Sequence, residues 1–371
     1  MGFKVLCVDD SEHVRNVLVR ILNSADEVEE VITASDGEEA VRKVKLAGPD
    51  VVTMDLKMPR LDGISALRRI RQISRIPVIM VSSYTQEGAI SAVVALEEGA
   101  FGVLPKPASG NPRELIEMRD RIVRMVCEGC RSGRAREKAI RTGSHESQRS
   151  QSRKKKADSG RNTRINLSDE EIGRISCVGI GSSMGGPKAL ATLVGYLDES
   201  FPWPIVIIQH IPGYFTSFFT SSLNSKTSVT VKEAEKDEIL RPATVYIAPG
   251  ECHLILRNKL DGLVVDFDRT TGPVSGAMPS IDLFFESLVE TAGSKSVGIL
   301  LSGMGNDGVS GLKKIKDSGA ITAVQDPMFS VSVGMPLNAL RIGAADTTLR
   351  IPDIPQFIYR HVKRAPLFNK K

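Results

Sequence analysis

Short runs rich in Val and Ile recur along this chain with an amphipathic stretch after most of them, and they do so in two separate blocks. In residues 4–126 the runs are "KVLCVDD", "VEEVITA", "DVVTMD", "PVIMVSS" and "FGVLPK". The stretch "EHVRNVLVRILNS" between the first two has apolar residues at 14, 17, 18, 21 and 22, the three-and-four spacing of one helix face. Five strands alternating with helices predict a five-stranded, doubly wound parallel sheet. The pattern resumes in residues 173–365 with "ISCVGI", "PIVIIQ", "ATVYIAP", "CHLILR", "GLVVDF", "SVGILLS" and "AITAVQ". Helical patterns occupy 186–197, 281–292, 308–318 and 332–341, with Ser280 as an N-cap and Gly293 as a stop for the second. A second, mostly parallel doubly wound α/β domain is predicted, carrying a β-hairpin insertion near 244–267.

The net charge of +5 is misleading, because residues 131–164 alone carry +9 and the rest of the chain −4. That stretch is nearly free of large apolar residues, which predicts a flexible basic linker over 127–170 between a domain at 1–126 and one at 171–371. A solvated spacer is the simplest role for it. DNA binding through the linker ranks low without a helix-turn-helix pattern, so no nucleic-acid partner is expected. No apolar run reaches the roughly 18 residues that span a bilayer, and acidic residues interrupt the N-terminal run at once. No membrane insertion and a cytoplasmic location are expected. Five scattered cysteines do not form a disulfide framework. "CEGC" at 127–130 has metal or redox spacing but lacks a second ligand pair, and a zinc or redox role is not expected.

Asp9 and Asp10 end the first strand of the N-terminal block and Asp55 ends the third. Ligands of such sheets lie beyond the carboxyl ends of the strands, where strand order reverses. Three carboxylates there need a cation, and open oxygen sites favour Mg²⁺. Ser82 ends the fourth strand and Lys106 the fifth, placing a hydroxyl and an ammonium against any phosphoryl group on Asp55. This ordered set, with "MDLKMPRLDG" around Asp55, resembles the flavodoxin-like receiver domain of two-component response regulators. The resemblance implies that Asp55 accepts phosphate from a histidine kinase and that Asp9, Asp10 and Asp55 hold Mg²⁺. Val103 stands where that family usually has an aromatic switch residue.

In the second block, "GIGSSMGG" places Gly181, Ser183 and Gly185 in G-x-S-x-G spacing, which exposes a serine on a sharp strand-to-helix turn. Taken alone, a phosphate-binding loop or a plain turn explains it equally well. Of five histidines, His210 follows "PIVIIQ" at a strand end and is the favoured base, with His253 the alternative. Asp307 follows "SVGILLSGMGN" and is either the orienting acid or the N-cap of 308–318. Serine, histidine and aspartate thus follow three different strands, whose ends share one rim.

"GSSMGG", "IIQHIP", "VYIAPG", "PSIDLFFES" and "LLSGMGNDG" together resemble the catalytic domain of chemotaxis protein-glutamate methylesterases, the CheB family. The resemblance implies a Ser183-His210-Asp307 triad, with the Met304 backbone near the oxyanion. It implies a phosphorylation-activated hydrolase that releases methanol from glutamate methyl esters on chemoreceptors and deamidates glutamines, with no cofactor for ester hydrolysis. A monomer is expected. Ala277-Met278 and Pro327 depart from the family pattern, and they favour the alternative of a phospho-regulated scaffold that binds without turnover.

Overall fold

In the computed structural model, residues 2–83, 85–106, 112–150 and 167–364 are described. The N-terminal domain is the sheet β1 (Phe3–Val8), β2 (Val28–Ala34), β3 (Val51–Asp55), β4 (Val78–Ser83) and β5 (Gly102–Lys106). Its helices are α1 (Glu12–Asn23), α2 (Gly37–Ala47), α3 (Gly63–Ile73), α4 (Gln86–Glu97) and the short α5 (Pro112–Glu117). All pairings are parallel and the order is β2-β1-β3-β4-β5, as the alternation predicts. Order reverses between β1 and β3, so the carboxyl ends of those two strands open the crevice. On α1, Val17, Leu18, Ile21 and Leu22 are buried and the Ser11 hydroxyl caps Val14 N–H.

The next helix, α6 (Arg119–Ser150), corrects the expectation for the linker. Residues 127–150 continue this helix, and its first turns belong to the N-terminal domain. Ile122, Val126, Cys127 and Cys130 form a buried stripe at three-to-four spacing. Gly129 lets the stripe approach the sheet, since a Cβ there would sit 3.0 Å from Val51 Cγ2. Arg131 binds Glu27 and Arg134 binds Asp50 on the outer face. The charge count of the segment concealed this narrow face of small apolar residues. Residues 151–166 of the expected linker lie outside the described residues. All five cysteines are free and buried, and burial pushes the Cys127 thiol up to about 11. Among the described residues only Asp9, Asp10 and Asp55 group at metal-ligand distances.

After α7 (Asp169–Ile172), the C-terminal domain alternates β6 (Cys177–Ser182), α8 (Gly186–Val194), β7 (Ile205–Gln209) and α9 (Gly213–Asn224). Strands β8 (Thr230–Glu233) and β9 (Thr244–Ile247) follow, then β10 (His253–Lys259) and β11 (Gly262–Asp268). The remainder is α10 (Ile281–Ala292), β12 (Ser296–Leu300), α11 (Val309–Asp317), β13 (Ile321–Gln325), α12 (Gly334–Arg341), β14 (Thr347–Leu349) and α13 (Ile354–Arg364). Seven strands form a parallel sheet in the order β14-β13-β12-β6-β7-β9-β8. The hairpin insertion is narrower than expected. It is the antiparallel pair β10-β11, whereas β9 joins the main sheet beside β7. No helix of the described residues is long and apolar enough to cross a membrane.

Strand β6 is the switch point, flanked by β12 on one side and β7 on the other. Helix α10 covers it closely because the strand carries glycine where a side chain would collide. A Cβ on Gly181 would lie 2.4 Å from Ile281 Cγ2 and 2.8 Å from Leu300 Cδ2. Gly181→Ala is therefore expected to lower stability by about 1–3 kcal/mol through overpacking. Urea unfolding of the variant checks this.

The two domains meet through α4, which packs on α8 and α9. Lys188 Nζ donates to Glu98 O (3.1 Å) and Ser222 Oγ donates to Glu97 Oε1 (2.9 Å). Lys226 pairs with the same Glu97 carboxylate, which is only 11 % exposed. Helix α6 adds a contact from Ser132 Oγ to Val331 O (3.3 Å).

Candidate active site and phosphoacceptor pocket

In the N-terminal domain four of the five expected residues, Asp9, Asp10, Asp55 and Lys106, converge. Ligand oxygens of Asp9, Asp10 and Asp55 lie within 4.8 Å of one another. Lys106 Nζ bridges Asp9 Oδ2 (2.7 Å) and Asp55 Oδ1 (3.0 Å). Burial lifts the Asp55 carboxyl to about 6; Lys106 opposes the rise and Asp9 adds to it. Burial works against the Lys106 ammonium, but Asp55 and Asp9 outweigh it and raise its pKa. Hard carboxylate oxygens around an open corner fit Mg²⁺ by donor type, and Asp9 Oδ2 has no hydrogen-bond partner apart from this ion pair with Lys106. Ser82 is buried, and its hydroxyl donates to Gly88 O in the first turn of α4 (2.9 Å).

At the carboxyl rim of the second sheet, Ser183 follows β6, His210 follows β7 and Asp307 follows β12. These are three adjacent strands with the serine strand in the middle. His210 Nε2 lies 2.9 Å from Asp307 Oδ2, which leaves Nδ1 for a second partner. No hydrogen bond joins Ser183 Oγ to His210, although both line the same cleft.

The two adjacent hydroxyls of "GSSMGG" have different fates. Ser182 is fully buried and its hydroxyl donates to Gln209 Oε1 (2.7 Å). Ser183 lines the cleft. Gln209 Nε2 in turn donates to the carbonyls of Ser183 and His210, both at 2.9 Å, and His210 N–H donates to Ser182 O (3.0 Å). Gln209 thus staples the serine turn to the histidine turn. Sequence reading passed over it, though its place at a strand end directly before His210 was the available signal. Gly185 completes the turn at φ +76°, and its missing side chain leaves room for Val331, whose Cβ would be 2.3 Å away.

Asp307 does not cap its own helix. Gly308 precedes α11, and the carboxylate instead meets the N-terminus of α10. Oδ1 accepts from Ser280 Oγ (2.9 Å) and Asp282 N–H (3.0 Å), and Oδ2 accepts from Ile281 N–H (2.8 Å). Burial works against its charge. The His210 hydrogen bond and the backbone donors outweigh that, and hold its pKa below the usual carboxylate range. His253, the alternative base, is fully buried behind Ser280 and does not reach the cleft. His13 is exposed on α1, His361 lies on α13, and the His145 side chain is outside the described ones.

The cleft measures about 440 Å³. The C-terminal domain contributes Ser183, His210, Ala277, Met278, Met304 and Asn306. The opposite wall is the N-terminal domain and α6: Leu96, Phe101, Val103, Arg121, Arg124 and Met125. Val103 therefore faces the cleft directly. Met184, next to Ser183, packs toward β5, with its Cε 3.6 Å from where a Cβ on Gly102 would be. Backbone N–H groups of Met184 and Met304 have no acceptor among the described residues. Pro327 begins a 3₁₀ turn, Pro327–Phe329, that touches α6 and is not part of the cleft.

A family model described as CheB methylesterase matches residues 178–358, and one described as response regulator receiver domain matches residues 5–119. A Methanococcus maripaludis protein named protein-glutamate methylesterase/protein-glutamine glutaminase is 33% identical over 97% of this chain and 98% of its own length. A Sulfurimonas denitrificans protein of the same name is 38% identical over 93% of this chain and 94% of its own. The solved catalytic domain of Thermotoga maritima CheB methylesterase is 35% identical, covers 50% of this chain and 98% of that one, and aligns with a TM-score of 0.49.

Proposed function

The chain belongs to the CheB methylesterase family with a receiver domain in front, and from that premise we propose a phosphorylation-gated hydrolase acting on glutamate methyl esters and glutamine amides of methylated chemoreceptors. The observation that carries the reading is the His210–Asp307 pair beside Ser183, on three neighbouring strand ends.

Ser183 Oγ attacks the ester carbonyl and His210 Nδ1 takes its proton. The tetrahedral oxyanion forms near the N–H groups of Met184 and Met304, worth about 10²–10³-fold for each good donor. His210 then protonates the departing methanol, or ammonia when the substrate is an amide. Water enters, gives a proton to His210 and attacks the acyl carbon; His210 returns that proton to Ser183 Oγ as the acyl–oxygen bond breaks and the free glutamate leaves. Asp307 fixes the ring with its proton on Nε2 and stabilises the imidazolium. The contact between Ser183 and His210 tightens in the substrate complex, as such contacts commonly do.

In the receiver domain, Asp55 accepts a phosphoryl group from a histidine kinase. Asp9, Asp10 and Asp55 would hold Mg²⁺, which supplies positive charge for the phosphoryl oxygens. In this reading Lys106 and Ser82 meet those oxygens. Drawing the Ser82 hydroxyl toward them releases Gly88 O and loosens the first turn of α4, the helix that holds the two domains together. The wall of the cleft then swings away.

The test is methanol release from a methyl-labelled receptor fragment, with and without a small-molecule phosphodonor, for the wild type and Asp55→Asn. Phosphodonor is expected to raise the rate only in the wild type. Glu97→Lys sets a like charge against Lys226 and removes the acceptor for Ser222. It is expected to raise the rate without phosphodonor about 5- to 30-fold, the equivalent of 1–2 kcal/mol. An unchanged basal rate in a folded Glu97→Lys protein counts against occlusion by the receiver.

A further inference from the structure

We infer that His253 is a positioning residue for the ester hydrolysis, acting through Ser280 to hold Asp307; this rests on the hydrolase reading above. His253 heads β10 of the hairpin and is completely buried. Both ring nitrogens are committed. Nδ1 accepts the backbone N–H of Ser280 (2.9 Å), so the proton sits on Nε2, which donates to Gly272 O (3.1 Å).

Ser280 is the N-cap of α10, and its hydroxyl has two tasks. It accepts Leu283 N–H (3.3 Å) and donates to Asp307 Oδ1 (2.9 Å). The position of the serine therefore sets the position of the acid. Its own backbone N–H lies outside the helix ladder and is buried, so it needs an acceptor from elsewhere. His253 is that acceptor. The hairpin is itself fastened to α10 two turns further on, where Leu256 N–H donates to Ser287 Oγ (3.0 Å).

The result is a continuous series of hydrogen bonds: Gly272 to His253, Ser280, Asp307 and His210. Each link is 3.1 Å or shorter, and every side chain before His210 is buried. Two imidazoles thus stand on either side of one carboxylate, the outer one in the cleft and the inner one in the core. The outer ring exchanges protons with the substrate. The inner ring touches neither substrate nor nucleophile and fixes where the carboxylate sits. Reaction rates are sensitive to displacements of this kind, since misplacement by about 1 Å costs on the order of 10²-fold.

The experiment uses the full-length, phosphodonor-activated protein and the methyl-labelled receptor fragment, with circular dichroism and thermal melting to establish folding. His253→Leu is expected to lower kcat about 10- to 100-fold while KM stays within twofold. His253→Asn places its Oδ1 where Nδ1 was and is expected to recover most of that loss. Ser280→Ala is expected to reduce kcat comparably, and the double variant with His253→Leu to lose little more, because both act on one link. The inference is overturned by a folded His253→Leu protein with kcat within threefold of wild type. It is equally overturned if His253→Asn is no better than His253→Leu, or if the two losses simply multiply. Should His253→Leu fail to fold, an unimpaired kcat in Ser280→Ala overturns it. A wild type that releases no methanol defeats the hydrolase reading, and this inference with it; an active wild type with unaffected variants defeats this inference alone.

Discussion

Ser183→Ala should abolish ester cleavage, lowering kcat by about 10⁴-fold or more, while leaving binding of the receptor fragment nearly unchanged. Losing the nucleophile of a triad removes the acyl intermediate, and what remains comes from the oxyanion donors and binding alone. The neighbouring hydroxyl does not substitute. Ser182 is fully buried and committed to Gln209 Oε1 at 2.7 Å, and turning it outward would leave that oxygen without its donor in the core. The measurement is methanol release together with trapping of an acyl-enzyme by mass spectrometry. A variant that keeps more than a tenth of wild-type turnover would falsify the assignment of Ser183.

Asp307→Asn should be nearly as severe, with kcat down by about 10⁴-fold, the scale known for the same change in a serine protease triad. Here the substitution carries a second penalty. The carboxylate accepts from Ile281 N–H, Asp282 N–H, Ser280 Oγ and His210 on its two oxygens. An amide has one oxygen, so its NH₂ must face donors on one side. Either His210 loses the acceptor that fixes its tautomer, or the start of α10 loses its cap. A stability loss of about 1–3 kcal/mol should accompany the loss of activity. The pH dependence has a definite sign. A carboxyl whose folded pKa is depressed adds stability above its unfolded pKa of about 3.9, and that part disappears as pH falls through the lower folded value. Asp307→Asn should therefore flatten the acid limb of the stability curve. An acid limb identical to wild type in urea titrations between pH 2 and 6 would argue against the depressed carboxyl.

Much of this molecule could be read from its letters. Periodicity alone distinguished both parallel sheets, and the rule that ligands gather at strand carboxyl ends brought Asp9, Asp55, Ser82 and Lys106 together, and likewise Ser183, His210 and Asp307. What escaped was whatever depends on a neighbour far away in the chain. The carboxylate of Asp307 is adjacent in sequence to α11 but satisfies α10, and no local pattern announces that. Gln209 reads as an ordinary strand-end polar residue, and His253 as a second candidate base, until their partners are known. Helix α6 was hidden because its buried stripe consists of cysteine, glycine and a few aliphatics among many arginines. Strands β8 and β14, with four and three residues, are too short to show a period. The domain contact through Glu97, Lys188, Ser222 and Lys226 consists of unremarkable surface residues on separate helices.

On the function proposed above, the contact of Met184 with β5 sets the receiver in the path of the substrate segment. Guest and lid are thus rivals for one seat, and rivalry of this kind runs both ways. Under the proposed gating, phosphate admits the receptor by displacing the lid; a dense field of receptors, by capturing the uncovered form, keeps the lid off in return. Crowding the substrate then does part of the kinase's work, and the enzyme's response to a given stimulus depends on how closely its targets are clustered.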